Sequence, residues 1–152
     1  MGIRIGQLMT EYGYTLSSAE SCTGGTIASM VTAVSGSSSY FKGAVVSYAV
    51  SVKEQVLGVD VSEGVVSEST ARQMAEGVAK VLDSDCSVAT TGIAGPGGAE
   101  PGKPVGTVCI AAHTPVTTLT RTFHFEGERE DVILQAADAA LALLEELISK
   151  KI

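Results

Sequence analysis

The run Ser18-Ala19-Glu20-Ser21-Cys22-Thr23-Gly24-Gly25 sets a hydroxyl beside a thiol just ahead of a glycine pair. Ser21 and Cys22 are both candidate nucleophiles, and either needs a neighbour able to take its proton. Lys53 shares a helical face with Val50, Val56 and Leu57, at i−3, i+3 and i+4. A lysine so placed either snorkels its amine to solvent or buries it. Burial that lowers its pKa from about 10.4 to about 7–8 costs on the order of 4 kcal/mol and turns the amine into a usable base. Ser21 and Lys53 would then form a dyad of the kind that dispenses with histidine.

Other readings stay open on these residues alone. Ser21 or Thr23 could simply cap a helix. Cys22 could instead be the nucleophile, with Glu20 and Lys53 as partners. The glycine loops could serve a nucleotide-binding module without catalysis. His113 and His124 sit in strand-like runs far along the chain, and no Gly-x-Ser-x-Gly is present. Neither Cys-x-x-Cys nor His-Glu-x-x-His nor a phosphate-loop signature occurs, so no metal and no cofactor are expected.

Two further features suit an anionic ligand. Arg129 stands at the start of the last predicted helix, where a cation opposes the helix dipole unless it holds an anion or pairs with Glu126 or Glu130. The loop Gly92 to Gly106 opens with Gly92, Gly95, Pro96, Gly97 and Gly98, and so long a loop in a compact domain is usually functional or mobile.

The elements that must position these groups follow from periodicity. Ile5, Leu8, Met9 and Tyr12 predict a helix over 2–12, stopped at Gly13. Strands are expected at Thr15 to Ser18, Gly43 to Tyr48, Cys86 to Thr91, Gly106 to His113 and Thr117 to Phe125. Helices are expected at Gly25 to Val34, at Ser51 to Leu57, and after the N-cap candidate Ser67, with Ala71, Met74, Ala75, Val78 and Leu82 on one face. The last helix, about Glu128 to Lys150, buries Ile133, Ala136, Ala137, Ala140, Leu144 and Leu147, with Lys150 and Lys151 complementing its C-terminal dipole. Strands alternating with helices, then a closing strand pair, predict an α/β fold: a three-layer α/β/α sandwich on a mixed, mostly parallel sheet. A strand followed by a glycine-rich helix start is where such sheets collect ligands, and free N–H groups there can hold a phosphate or an oxyanion.

Composition limits the function classes. The 152 residues fit one domain, 1–152, able to bury a core without staples. A net charge of −7 argues against a nucleic-acid partner. The longest apolar runs are too short to span a bilayer, so no membrane partner is expected. Three cysteines without paired spacing read as reduced thiols of a cytoplasmic protein. Tyr40-Phe41 beside a serine-rich turn is either a subunit interface or core.

Taken together, Ala19-Glu20-Ser21-Cys22-Thr23-Gly24-Gly25, Gly36-Ser37-Ser38, Gly43-x-Val45-x-Ser47-Tyr48 with Lys53, Thr91-Gly92-Ile93-Ala94-Gly95-Pro96-Gly97-Gly98 and Lys103-Pro104-Val105-Gly106-Thr107-Val108 resemble the CinA C-terminal domain family. The resemblance runs from about Gly6 to the final helix. It implies a stand-alone homo-oligomer with the same three-layer fold that hydrolyses the carboxamide of nicotinamide mononucleotide, releasing nicotinic acid mononucleotide and ammonia in pyridine nucleotide salvage. It further implies Ser21 as nucleophile, Lys53 as base and Tyr48 as a relay or support for Lys53. Substrate is expected at Glu20, Thr23, Gly24, Gly25, Ser38, Thr91, Gly92, Ala94, Gly95 and Arg129, with amides near Thr23 to Gly25 facing the oxyanion. The chain departs from the family at Val50 and Ile133, where polar residues are common, and a loss of pocket contacts is expected there.

Overall fold

A computed structural model describes residues 1–149. The expected role of Lys150 and Lys151 lies outside the described residues. In chain order the elements are α1 (Gly2–Tyr12), β1 (Leu16–Glu20), α2 (Thr26–Thr32), a 3-10 turn (Ser37–Ser39), β2 (Phe41–Val46), α3 (Val50–Leu57), α4 (Glu68–Val81), β3 (Cys86–Gly92), β4 (Thr107–His113), β5 (Thr118–His124) and α5 (Arg129–Ser149).

The strands form one sheet in the order β2-β1-β3-β4-β5. β1 lies parallel to both β2 and β3, whereas β3–β4 and β4–β5 are antiparallel, so the sheet is mixed. Helices cover both faces. On one, α1, α2 and α5 pack Ile5, Ile27, Val31, Leu141 and Leu144 against Leu16, Val88, Val108 and Ile110. On the other, Met74, Ala75 and Val78 of α4 and Leu57 of α3 meet Ala19, Ala89, Cys109 and Ala111. Adjacent residues such as Val88 and Ala89 thus serve opposite cores, as the two-residue period of a strand requires.

Local chemistry explains most element boundaries. Ser67 is the N-cap of α4, its Oγ accepting from the Thr70 amide at 3.1 Å. β1 extends past the expected Ser18 to Glu20, because the buried Glu20 carboxylate finds donors of its own in the following turn. α3 corrects the expected apolar stripe: Lys53 and Leu57 point inward, while Val50 and Val56 are exposed. Eight residues on the flank of the sheet bury only a narrow side. Tyr40 is buried, and Phe41 packs against the same core as α1 and α5, which resolves that pair as interior.

Candidate active site

The topology brings the carboxyl ends of β1, β2 and β3 to one edge of the sheet, because these strands are parallel and in register. Ser21 follows β1, Ser47 and Tyr48 follow β2, and Thr91-Gly92 end β3. β5 runs antiparallel to β4, as β3 does, so it too points to that edge and delivers Arg129 at the start of α5. Residues scattered between positions 21 and 129 therefore meet where ligands of α/β sheets gather.

The turn after β1 is built around Glu20, which is fully buried. Its Oε1 accepts from Thr23 Oγ1 (2.7 Å), Gly25 N (3.1 Å) and Ile27 N (2.9 Å), and its Oε2 from Ser18 Oγ (3.1 Å) and Ala28 N (3.0 Å). The carboxylate thus satisfies the first amides of α2, whose N-cap Gly25 has no side chain to do so. Gly24 and Gly25 take φ of 56° and 105°, the left-handed turn that folds α2 back over this carboxylate. Glu20 is therefore the cap of α2 and not a substrate ligand. Thr23, buried and bonded to Glu20 and to Thr90 Oγ1 (2.8 Å), belongs to the same scaffold.

This scaffold presents Ser21. Its amide donates to Thr90 O at 3.1 Å, and its Oγ lies 3.0 Å from Lys53 Nζ. Lys53 is 1 % exposed and reaches in from α3. Its Nζ also donates to Ser47 O at 2.6 Å and to Tyr48 O at 3.3 Å, and it forms no salt bridge among the described residues. Burial pushes its pKa below the ordinary lysine value. With two N–H bonds held by carbonyls, the third direction at nitrogen points to Ser21 Oγ, which accepts from the protonated amine and could donate to a neutral one.

Cys22 fits the nucleophile's part poorly. Its thiol is buried and pushed up to about 11, chiefly by that burial, and Lys53 Nζ is bonded to the neighbouring serine instead. Glu20, the other partner envisaged for Cys22, is fully occupied by the turn.

A cavity of about 280 Å³ opens over the dyad. Its floor is Ser21, Cys22, Lys53 and Thr91; Val65, Val66, Ile93 and Ala94 supply apolar wall; Tyr48, Gly97, Gly98, Glu100 and Arg129 form the exposed rim. Thr91 donates its hydroxyl to Val65 O at 2.9 Å and so pins one wall. Gly92 and Gly95 line the cavity as expected, and Gly92 also has a structural reason: a Cβ there would stand 2.6 Å from Thr107 O. Arg129 donates to Gly95 O (2.6 Å) and to Tyr48 Oη (3.1 Å) and forms no salt bridge with Glu126 or Glu130.

Several expected site residues lie elsewhere. Tyr48 supports Lys53 through its main-chain carbonyl, while its side chain reaches Arg129. Ser38, exposed on the 3-10 turn, does not line the cavity, and neither do Gly24 and Gly25. The Gly24 and Gly25 amides are already used, on Ser21 O (3.1 Å) and Glu20 Oε1. The amides of Cys22 and Thr23 donate to no other residue among the described residues. Val50 and Ile133 are also absent from the lining, Val50 being exposed on α3 and Ile133 packing against the core. Val65, Val66 and Glu100 were not foreseen, since a valine pair before a helix cap and a lone loop glutamate carry no chemical signature.

The CinA C-terminal domain model matches residues 2–148. A CinA-like protein of Flavobacterium psychrophilum is 45 % identical over 150 residues, covering 96 % of this chain and 36 % of that protein. One from Mycolicibacterium gilvum is 46 % identical over 142 residues, covering 90 % and 34 %. The chain thus spans about a third of the length of these curated relatives. Among solved structures, the competence/damage inducible protein CihA of Agrobacterium tumefaciens superposes with a TM-score of 0.92 at 37 % identity, covering 96 % of this chain and 92 % of that one. A CinA superfamily protein of Escherichia coli gives 0.92 at 35 %, covering 96 % and 87 %. With the match extending over the whole fold and the strand-end site, the chain belongs to the CinA C-terminal domain family.

Proposed function

We propose that the protein is a serine amidohydrolase that cleaves the carboxamide of nicotinamide mononucleotide. The observation that carries this reading is the 3.0 Å approach of Ser21 Oγ to a buried lysine amine that has no carboxylate partner among the described residues. An ion pair would hold Lys53 protonated; burial without a carboxylate partner instead shifts the amine toward the neutral form that can accept a proton, while Ser47 O and Tyr48 O fix its position.

Ser21 Oγ attacks the amide carbon as its proton passes to Lys53 Nζ. The oxyanion that forms faces the amide of Cys22, the residue after the nucleophile, which is free to donate. Collapse breaks the C–N bond, and Lys53 returns the proton to the departing nitrogen, giving ammonia and an acyl-Ser21 ester. Water then attacks the ester, losing a proton to Lys53, and Ser21 Oγ leaves with that proton to restore the dyad. The apolar wall of Val65, Val66 and Ile93 accommodates the ring, and Arg129 at the rim supplies the cation for the phosphate. Binding energy gathered at the rim positions the amide over Ser21.

The test is to incubate the purified protein with nicotinamide mononucleotide and follow ammonia and the acid product. Wild-type turnover that falls by at least about a thousandfold in Ser21→Ala, with the fold intact, is the expected result. Nucleotide binding without ammonia release would replace this reading with that of a binding module.

A further inference from the structure

Among the described residues, Glu100 is the only acidic one that lines the cavity. The proposed reaction gives it no part. Its backbone is held firmly: Glu100 N donates to Lys103 O at 2.9 Å and Lys103 N to Glu100 O at 2.8 Å, a two-way bridge closed by Pro101 and by Gly102 at φ 74°. The carboxylate that this small hairpin sets at the rim has no hydrogen-bond or salt-bridge partner among the described residues.

The cavity grades from a buried floor at Ser21, Lys53 and Thr91 to an exposed rim at Gly97, Gly98, Glu100 and Arg129. If the carboxamide is seated on Ser21, as the functional reading above requires, the ring occupies the apolar middle and the substituent on the ring nitrogen emerges at the rim. Two opposite charges wait there. Arg129 suits a phosphate, whereas Glu100 is an acceptor only and would repel one. What a carboxylate binds well in a nucleotide is the pair of vicinal ribose hydroxyls, the contact that an acidic residue makes in dinucleotide-binding folds.

We propose that Glu100 is the ribose-reading residue of this site, accepting hydrogen bonds from the 2′- and 3′-hydroxyls and thereby selecting ribosyl amides over amides that lack the diol.

Binding to the Ser21→Ala protein tests this without turnover. Nicotinamide mononucleotide and its 2′,3′-dideoxy counterpart are titrated by calorimetry into that protein with Glu100 intact, with Glu100→Ala and with Glu100→Gln. With Glu100 present, the diol form is expected to bind at least about tenfold more tightly than the dideoxy form, the range of a hydrogen bond to an ionised group. That preference is lost in Glu100→Ala and partly kept in Glu100→Gln, while the dideoxy affinity does not fall in either variant and rises by whatever repulsion of the phosphate the carboxylate had exerted. Equal affinities with Glu100 present, or a preference that survives Glu100→Ala, would overturn the assignment. So would an equal loss for both nucleotides, which would mark Glu100 as a purely structural part of the hairpin. Failure of the amidase reading shows separately, as an absence of ammonia from the protein that retains Ser21; binding of neither nucleotide overturns both.

Discussion

Ser21 and Cys22 are neighbours in sequence, yet the structure gives them different chemical status. Lys53 Nζ is committed to Ser21 Oγ, while burial keeps the Cys22 thiol protonated with a pKa of about 11. At pH 7 only about one thiol in ten thousand is then ionised, too few to compete with an activated hydroxyl. Cys22→Ala is accordingly expected to keep ammonia release within about threefold of wild type, and the wild-type protein to resist iodoacetamide at neutral pH. Parallel loss of activity and of free thiol on alkylation would return the nucleophile's role to Cys22. The Ser21–Lys53 pairing was legible in the sequence because both residues carry reactive groups at telling positions. Glu20 was misassigned for a physical reason: whether a carboxylate faces a ligand or five donors of its own turn depends on the path of the chain, which no spacing in the motif specifies.

Glu20 acts at the level of an element. α2 is only seven residues long and has no basic last turn and no side-chain cap, so little besides Glu20 secures its first turn apart from the packing of Ile27 and Val31. Glu20→Ala would leave the amides of Gly25, Ile27 and Ala28 unsatisfied in a largely dry setting, at an expected cost of about 3–5 kcal/mol. Glu20→Gln would keep the shape and some of the bonds and cost less. Denaturant unfolding checks the order: Ala well below Gln, and Gln below wild type, with activity falling as the Ser21 turn loosens. A Glu20→Ala protein of undiminished stability would refute the capping role. At this scale the sequence was most readable where periodicity was long, as in α4 with its Ser67 cap, or where apolar strands were bounded by glycine. It was least readable at α3, where a helix of eight residues carries too few positions for its inward side to be distinguished from its outward one.

For the whole molecule, assembling such a site has a thermodynamic consequence. The fold buries the Lys53 amine, and burial lowers its pKa relative to the unfolded chain, where it titrates at about 10.4. Between the folded and unfolded pKa values the unfolded chain binds a proton that the native protein does not, so stability rises with pH across that interval and levels off above it. The slope for one full proton is about 1.4 kcal/mol per pH unit. Lys53→Met removes this term while retaining an apolar stem of similar length, although Ser47 O and Tyr48 O lose a donor. The buried cysteines act in the opposite sense: with folded pKa values raised, as for Cys22 and Cys86, their contribution is full below the unfolded thiol pKa and is lost only as pH rises above it. Both proteins carry the same cysteines, so the difference between their urea unfolding free energies from about pH 6 to 9 isolates the lysine. Wild-type stability is expected to gain on that of Lys53→Met as pH rises through this range, most steeply near pH 9. Parallel profiles for the two proteins would mean that Lys53 keeps an ordinary pKa in the native state, and with it would go the argument that the fold holds this amine neutral beside Ser21.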